Sequence, residues 1–242
     1  MDNTNNSCCC GETAHFSGCL ICGAPVTYSV ESSVKTCSIC HKEQLTNAVC
    51  ENGHFVCDAC HSYGTYIPVI IALRSSTEKD PLLLLEEIMD LPSVHMHGPE
   101  HHAIVPSVLL TALRNNGERM NYDTALSEIC KRAKQVPGGT CGYWGVCGAA
   151  AGAGIFMSVM TGSSPLHKDA WPFPQKLVSI ILSRLADVGG PRCCKRTRIA
   201  SEEAVHIYSQ FCSVNIPLSS ITCKYCEDNR ECIQEDCPYY PE

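Results

Sequence analysis

The sequence predicts a mainly α-helical protein in which a helical core carries a small cysteine-rich module at each end. Apolar residues recur at helical spacing through residues 63–215, which predicts the core. Residues 18–62 and 216–242 are instead short, turn-rich segments dense in cysteine. With 242 residues and 45% hydrophobic content, the chain is long enough to bury a core. We therefore expect an N-terminal zinc-ribbon-like or treble-clef-like module, the helical core, a C-terminal cysteine-cluster segment, and a disordered tail at residues 1–17.

Cysteine accounts for 20 of the 242 residues, and its pattern indicates the chemistry of the environment. Such a high share is typical of disulfide scaffolds only in short secreted chains. The segment from Met1 to Ser7 has neither the basic nor the apolar region of a signal peptide, so secretion is not predicted. We expect a reducing, cytoplasmic environment in which cysteine thiolates bind metals.

Net charge and hydropathy limit the classes of partner. The formal charge of −7 argues against a generally basic nucleic-acid-binding protein. One apolar run extends from Val146 to Met160, which is shorter than the roughly 18 to 20 residues that a membrane-spanning helix needs. Three glycines interrupt this run. We expect it to form a buried helix rather than a membrane span.

The N-terminal module holds four pairs of candidate metal ligands within 42 residues. A Cys-x-x-Cys turn directs two sulfur atoms at one ion, and two such pairs complete a tetrahedral site. The eight ligands fit two zinc ions, with rubredoxin-like iron as the alternative. His41 or His61 could replace His54, and a crossed pairing of the turns would resemble RING or treble-clef modules. The pairs are Cys19 with Cys22, Cys37 with Cys40, Cys50 with His54, and Cys57 with Cys60.

The helical core can be divided at its proline, glycine and acidic residues. Asp80 followed by Pro81 is typical of a helix start, and Asp123 is a candidate cap for a later helix. Gly189 and Gly190 are typical of a helix end. Cys130 and Cys212 lie on predicted apolar helix faces and are expected in the core. The predicted helices run from Pro81 to Asp90, Val105 to Asn115, Asp123 to Ala133, Pro174 to Val188, and from Pro191 to Tyr208 or Cys212.

A histidine-rich turn precedes the second of these helices. It contains His95, His97, Glu100, His101 and His102 within eight residues. Neutral imidazoles suit zinc, iron or nickel, and a histidine can also serve as an acid or base near neutral pH. The alternative is a polar turn that caps the helix. We expect His97 and His102 to face the central cysteines, with Glu100 orienting one of them.

Four central cysteines form the predicted reactive centre: Cys141, Cys147, Cys193 and Cys194. Cys147 follows a glycine-rich turn and lies at a predicted helix start, where backbone N–H groups favour anions and lower a cysteine pKa. Cys193 and Cys194 begin another predicted helix, with four cations from Arg192 to Arg198. The four thiols could bind one cluster, or three of them could bind it and leave one iron open. A vicinal disulfide between Cys193 and Cys194 is the alternative.

The C-terminal segment contains a second compact set of four cysteines that ends in Cys-Pro. Four thiolates within 15 residues are typical of iron–sulfur ligation, although the spacing is not that of bacterial ferredoxins. A [4Fe–4S] cluster is the first interpretation and a zinc ion is the second, because thiolates suit both. The ligands are Cys223, Cys226, Cys232 and Cys237.

The central and terminal motifs resemble two known groups. The stretch from Gly145 to Gly152, followed by Cys193–Cys194, is similar to the redox-active C-GCAxxG-C-C motif of anaerobes, although Val146 and Gly148 each add a residue to that pattern. Residues 18–240 resemble an uncharacterised cysteine-rich domain family of anaerobic archaea and bacteria, which is sometimes joined to methyltransferase domains. This resemblance implies anaerobic metabolism but no established reaction.

The leading functional hypothesis is iron–sulfur-dependent redox or sulfur-transfer chemistry at the central cysteines. An iron–sulfur oxidoreductase or sulfur transferase would need a redox, sulfur-transfer or methyl-transfer protein as its partner. One alternative is a non-catalytic zinc protein that contacts RNA phosphate through Arg192–Arg198. Another is a component of a methyl-transfer system. No glycine-rich nucleotide fingerprint is present, so a methyl donor would come from another protein.

Overall fold

The computed structural model describes residues 18–190, 192–211 and 214–242, and these residues form a mainly helical fold. Eight α-helices and one two-stranded sheet lie within the described ranges, which confirms the predicted fold class. The predicted tail at residues 1–17 and the core position predicted for Cys212 fall outside the described residues.

The elements follow one another with short connections. The strands are β1 (Val26–Thr36) and β2 (Glu43–Cys50). The first four helices are α1 (Asp58–Ser75), α2 (Pro81–Met89), α3 (His101–Asn115) and α4 (Tyr122–Ala133). The last four are α5 (Thr140–Tyr143), α6 (Gly148–Thr161), α7 (Pro172–Val188) and α8 (Cys193–Tyr208), followed by a 3₁₀ turn, Gln234–Asp236.

Strands β1 and β2 form an antiparallel hairpin whose regular pairing is interrupted by a wide bulge. Tyr28 pairs with Ala48 and Ser33 pairs with Thr46, so residues 29–32 lie opposite a single residue, Asn47. The Asn47 amide donates to the carbonyl oxygens at the start of the bulge and holds it in shape. Bulges redirect neighbouring side chains. Tyr143 of α5 donates to the Ser29 carbonyl oxygen in this bulge, which connects the hairpin to the helical core.

The helix caps explain which predicted boundaries were right. Asp80 caps α2 as predicted, because its carboxylate accepts hydrogen bonds from the backbone N–H groups of Leu82 and Leu83. The predicted cap at Asp123 is wrong: Asn121 caps α4 by accepting from the Thr124 N–H. Cys147 is the N-cap of α6, as predicted, and α7 ends at Gly189.

Helix α6 lies at the centre of the core, packed against α3, α4, α7 and α8. Its small residues allow this close packing. A Cβ atom at Gly152 would lie 2.5 Å from the His102 carbonyl oxygen in α3, and one at Gly154 would lie 2.5 Å from the Val178 side chain in α7. The apolar run noted in the sequence is therefore a core helix. Among the described residues, no helix has the length and apolar character needed to cross a membrane.

Both cysteine-rich ends are connected to the core by direct contacts. Helix α1 begins in the N-terminal module and continues past residue 62, where it buries Val69 and Leu73 against α2. The C-terminal segment packs on the same side, with Tyr225 and Tyr239 buried beside Arg198 of α8. The cysteine-rich ends and the helical core therefore share elements and contacts.

Candidate metal and thiol sites

The first N-terminal group lies at the open end of the hairpin. The Cys22 sulfur is 3.9 Å from the Cys50 sulfur and 3.3 Å from His54 Nδ1, and Cys19 completes the group. Zinc–sulfur bonds of 2.3 Å in a tetrahedron separate sulfur atoms by about 3.8 Å, close to the separation found here. A hydrogen bond from Asn52, assisted by His54, lowers the Cys22 pKa to about 6. The group could hold one metal ion.

The second N-terminal group lies at the turn of the hairpin, where Cys37, Cys40, Cys57 and Cys60 come together. The sulfur atoms of Cys40 and Cys57 are 3.7 Å apart. Burial would raise the Cys37 pKa, but backbone N–H groups around the thiol outweigh it and lower the pKa to about 6. This group could also hold one metal ion.

The two groups pair the ligand turns in crossed order, first with third and second with fourth, because the hairpin separates the two sites. The crossed pairing, which the sequence left open, is therefore the one found. His54 is the histidine ligand of the first group, and His41 belongs to neither group. His61 follows the ligand Cys60 but turns away from the thiols, towards the histidine-rich turn.

The central cysteines are divided between two environments. Three of them lie around Arg196: Cys141, Cys147 and Cys193. Burial would lower the pKa of the Arg196 guanidinium, but its electrostatic interactions with these three cysteines outweigh burial and raise it. Cys194 points to the C-terminal segment, where Asn229 Nδ2 is 3.8 Å from its sulfur. The side chains of neighbouring helix residues point about 100° apart. Cys193 and Cys194 therefore reach two different surroundings, one at Arg196 and the other at the C-terminal segment.

Burial is the main influence on the pKa of two of the central thiols. Burial raises the pKa of Cys193 and also that of Cys147, although backbone N–H groups of Ala149 and Ala150 oppose it at Cys147. The expected lowering of the Cys147 pKa at its helix start is therefore wrong, because desolvation exceeds the helix effect. Every described cysteine is a free thiol, including Cys193 and Cys194.

The histidine-rich turn places its histidines in different surroundings, partly because α3 starts at His101, earlier than predicted. His97 Nδ1 is 3.4 Å from the Cys193 sulfur, and burial lowers the His97 pKa to about 4. His102 donates from Nδ1 to the Val136 carbonyl, while its Nε2 lies against Gly148. Both predicted histidines thus face the central region, although only His97 reaches a thiol.

Tyr28 is a site residue that the sequence analysis did not identify. Its hydroxyl is 3.3 Å from His97 Nε2, and Tyr143 beside it donates to the carbonyl oxygen of Ser29 in the bulge. The N-terminal hairpin therefore covers the edge of the central thiol site. A tyrosine in an exposed strand gave no signal of this role, because the contact depends on the bulge.

The C-terminal cysteines surround the second face of α8. Cys223, Cys226 and Cys237 pack with Cys194, while Lys195 interacts electrostatically with Cys237 and Cys232. Among the described residues, no three of these thiols lie within 4.8 Å of one another, unlike the N-terminal groups. Burial raises the Cys194 pKa to about 11.

Two of the four cations predicted to contact phosphate are buried. Arg198 is fully buried and forms a two-pronged ion pair with Glu86, at 2.7 and 2.9 Å. Lys195 is also buried, and its Nζ has no hydrogen-bond partner among the described residues. Arg192 pairs with Glu231, and Arg196 is directed at the thiols. These contacts direct the cations into the protein.

Comparison with known proteins assigns most of the chain to a family. The model of DUF5714, described as a family of unknown function, matches residues 69–240. That range begins within α1 and includes the histidine-rich turn, the central cysteines and the C-terminal cysteines, whereas the N-terminal ligand groups lie before it. No curated protein and no solved structure matches the chain.

Proposed function

Taking as a premise that the chain belongs to DUF5714, a family of unknown function, we propose that it is an iron–sulfur protein that performs redox or sulfur-transfer chemistry at its central thiols. The two N-terminal groups bind structural zinc ions in this proposal. The central thiols bind or form the reactive centre, and the C-terminal thiols hold a second cluster that exchanges electrons with a protein partner.

One observation carries the proposal: three thiols from three separate segments lie around a single half-buried cation. Cys141 comes from α5, Cys147 caps α6, and Cys193 begins α8, with Arg196 among them. An iron–sulfur cluster with thiolate ligands is anionic, so a fixed guanidinium beside it is electrostatically favourable. If the three thiols served only to pack the core, a guanidinium beside them would not be needed.

The wider spacing of these thiols supports a cluster over a single ion. A zinc ion draws four sulfurs to within about 3.8 Å of one another. The N-terminal groups have that spacing, whereas no three of the described central or C-terminal thiols lie within 4.8 Å. A cluster of several irons and sulfides is larger and holds its cysteines further apart.

The C-terminal segment supports a second cluster next to the first. Cys194 lies one residue after Cys193, so thiols of the two sites are joined through a single peptide bond. The buried Lys195 ammonium, without a hydrogen-bond partner among the described residues, faces the C-terminal thiols. Buried charges need compensation, which an anionic cluster would provide. Electrons could then pass between adjacent clusters.

Anaerobic purification followed by analysis of iron, labile sulfide and visible absorbance tests this function. We expect zinc together with iron and sulfide, and a broad absorbance near about 400 nm that is typical of thiolate-ligated clusters. Cys147→Ser and Cys193→Ser should lose the iron of the central cluster, and Cys237→Ser that of the C-terminal one. Cys130→Ser is the matched control, because Cys130 lies outside both thiol sites. Zinc alone, without iron or sulfide, would contradict the proposal.

A second measurement separates the two chemistries. In the redox case, chemical reduction should change the cluster spectrum reversibly, and Cys193→Ser should abolish that change for the central centre. In the sulfur-transfer case, a central thiolate should attack the outer sulfur of a persulfide donor, releasing the donor as a thiolate and leaving a persulfide on the central cysteine that mass spectrometry detects.

A further inference from the structure

Three nitrogen- and oxygen-bearing side chains converge at the histidine-rich turn. His61 comes from the first turns of α1, and His95 and Glu100 come from the histidine-rich turn itself. The ligand atoms of the three side chains all lie within 4.8 Å of one another. Nδ1 of His61 is 3.3 Å from Glu100 Oε2, and Nδ1 of His95 is 2.8 Å from Glu100 Oε1.

The polar atoms in this group are not all satisfied by protein contacts. Glu100 is fully buried, and its Oε1 accepts from the backbone N–H and the ring of His95. Its Oε2 and the facing Nδ1 of His61 are both buried without a hydrogen-bond partner among the described residues. Buried polar atoms without partners are uncommon and costly. An ion bound between Glu100 Oε2 and His61 Nδ1 would give both atoms a partner.

The charge of the carboxylate indicates what kind of ligand is missing. Two histidines are the ion-pair partners of Glu100, and no lysine or arginine of the described chain pairs with it. A buried carboxylate needs compensation by a cation. Gly98 leaves room for this carboxylate, because a Cβ there would lie 2.1 Å from Glu100 Oε2. The chain therefore holds one negative oxygen and two imidazoles in a defined arrangement.

We propose that His61, His95 and Glu100 bind one divalent transition-metal ion. Two imidazoles and one carboxylate form a ligand set that suits iron, manganese or zinc, and it leaves coordination positions open. The histidines keep 20% and 16% of their side chains exposed, which gives an ion and a water molecule a route to those positions. The site differs from the thiol sites in its ligands and adds a centre that the proposed cluster chemistry does not include.

The position of His61 connects this site to the second N-terminal group. His61 directly follows Cys60, and its backbone N–H donates to the Cys57 carbonyl. Both cysteines belong to that group. Binding of a metal by the four thiols would fix the first turn of α1 and with it the direction of the His61 ring. The second N-terminal group would thus position one ligand of the nitrogen and oxygen site, His61.

Titration with Mn²⁺, followed by electron paramagnetic resonance, is a selective test. Manganese favours carboxylate and imidazole ligands, whereas thiolates favour softer ions. The full-length protein is first washed with chelator to strip loosely bound ions. We then expect it to bind one Mn²⁺ per chain, which lowers the signal of the free ion by that amount. Fe²⁺ and Zn²⁺ should compete with it. Electron spin-echo modulation should detect coupling to imidazole nitrogen in the bound state.

Substitutions of the ligands distinguish this site from a buried ion pair. Glu100→Gln keeps the side-chain size, and we expect it to weaken Mn²⁺ binding by about 10- to 100-fold or more. His61→Gln should have a similar effect and changes a more exposed residue. His206→Gln is the matched control, since His206 is exposed on α8 and outside the site.

Two results would overturn the proposal. One is the failure of the wild-type protein to bind Mn²⁺ stoichiometrically with nitrogen coupling, which would mean that the three residues form a buried ion pair only. The other is unchanged Mn²⁺ binding by folded Glu100→Gln and His61→Gln, with folding checked by thermal denaturation. Neither result depends on iron or sulfide content, so failure here is distinct from failure of the cluster proposal.

Discussion

The hydroxyl of Tyr28 lies 3.3 Å from Nε2 of His97, and this contact joins the N-terminal hairpin to the histidine-rich turn. The opposite ring nitrogen of His97 is 3.4 Å from the sulfur of Cys193. A residue of the N-terminal hairpin therefore contacts the imidazole beside a central thiol. The N-terminal hairpin and a central thiol are connected through this chain of three residues.

Replacement of Tyr28 by alanine should expose the central thiol. Without the ring over His97, we expect iodoacetamide to alkylate Cys193 several-fold faster in reduced protein washed free of iron. Peptide mapping by mass spectrometry measures the rate at this cysteine. Val30→Ala is the control, because Val30 is 94% exposed on the same hairpin. Equal rates in both variants would mean that the hairpin does not shield the site.

Local signals in the sequence were sufficient to predict much of the fold. Asp80 and Pro81 define the start of α2, and Gly189 defines the end of α7, because capping depends on neighbouring residues only. The eight N-terminal ligands followed from the spacing of Cys-x-x-Cys turns. Their crossed pairing did not, since the order depends on how the hairpin separates the turns in space.

The candidate sites were harder to predict because they combine distant segments. Cys193 and Cys194 are adjacent in sequence, but the helical twist directs one to Arg196 and the other to the C-terminal segment. The pairing of His61 with Glu100 joins residues 39 positions apart across two elements. Sequence spacing carried no information on such contacts. Burial likewise reversed the pKa shift expected at Cys147.

Removal of one thiolate from the second N-terminal group should release its metal. In Cys57→Ser, a hydroxyl replaces a buried sulfur ligand, and we expect zinc content to fall by one ion per chain. The hairpin and the start of α1 should become susceptible to proteolysis, because structural zinc supplies much of the folding energy of such modules. Metal analysis and limited proteolysis measure both effects.

The same chemical change elsewhere provides the control for this prediction. Cys130→Ser in α4 alters a half-buried thiol that belongs to none of the metal groups found among the described residues. Zinc content and the protease pattern should match the wild type. Retention of full zinc content by Cys57→Ser would contradict the assignment of this ligand.

Gly152 should be intolerant of even a methyl group. A Cβ at this position would lie 2.5 Å from the backbone oxygen of His102 and 3.0 Å from Pro106, so α3 and α6 would have to separate. We expect Gly152→Ala to reduce the free energy of unfolding by about 1–3 kcal/mol. Gly64→Ala is the control, because Gly64 is exposed in α1 with nothing within 4 Å of an added Cβ. Alanine there should stabilise the helix by about 0.5–1 kcal/mol, and urea unfolding measures both changes.

The ion pair between Arg198 and Glu86 should be a major determinant of stability. Arg198 is fully buried, contacts the rings of Tyr225 and Tyr239, and donates two hydrogen bonds to the Glu86 carboxylate. Arg198→Ala leaves that largely buried carboxylate without its partner, at a cost of about 3–5 kcal/mol. Because the two tyrosines belong to the C-terminal segment, this segment should also detach more readily.

An exposed ion pair in the same protein provides the comparison for Arg198. Arg74 and Asp123 are 2.8 Å apart but largely exposed, so Arg74→Ala should change the free energy of unfolding by less than about 1 kcal/mol. Urea unfolding of both variants at constant pH measures the difference. If Arg198→Ala were no more destabilising than Arg74→Ala, the buried pair would not anchor α8 to α2.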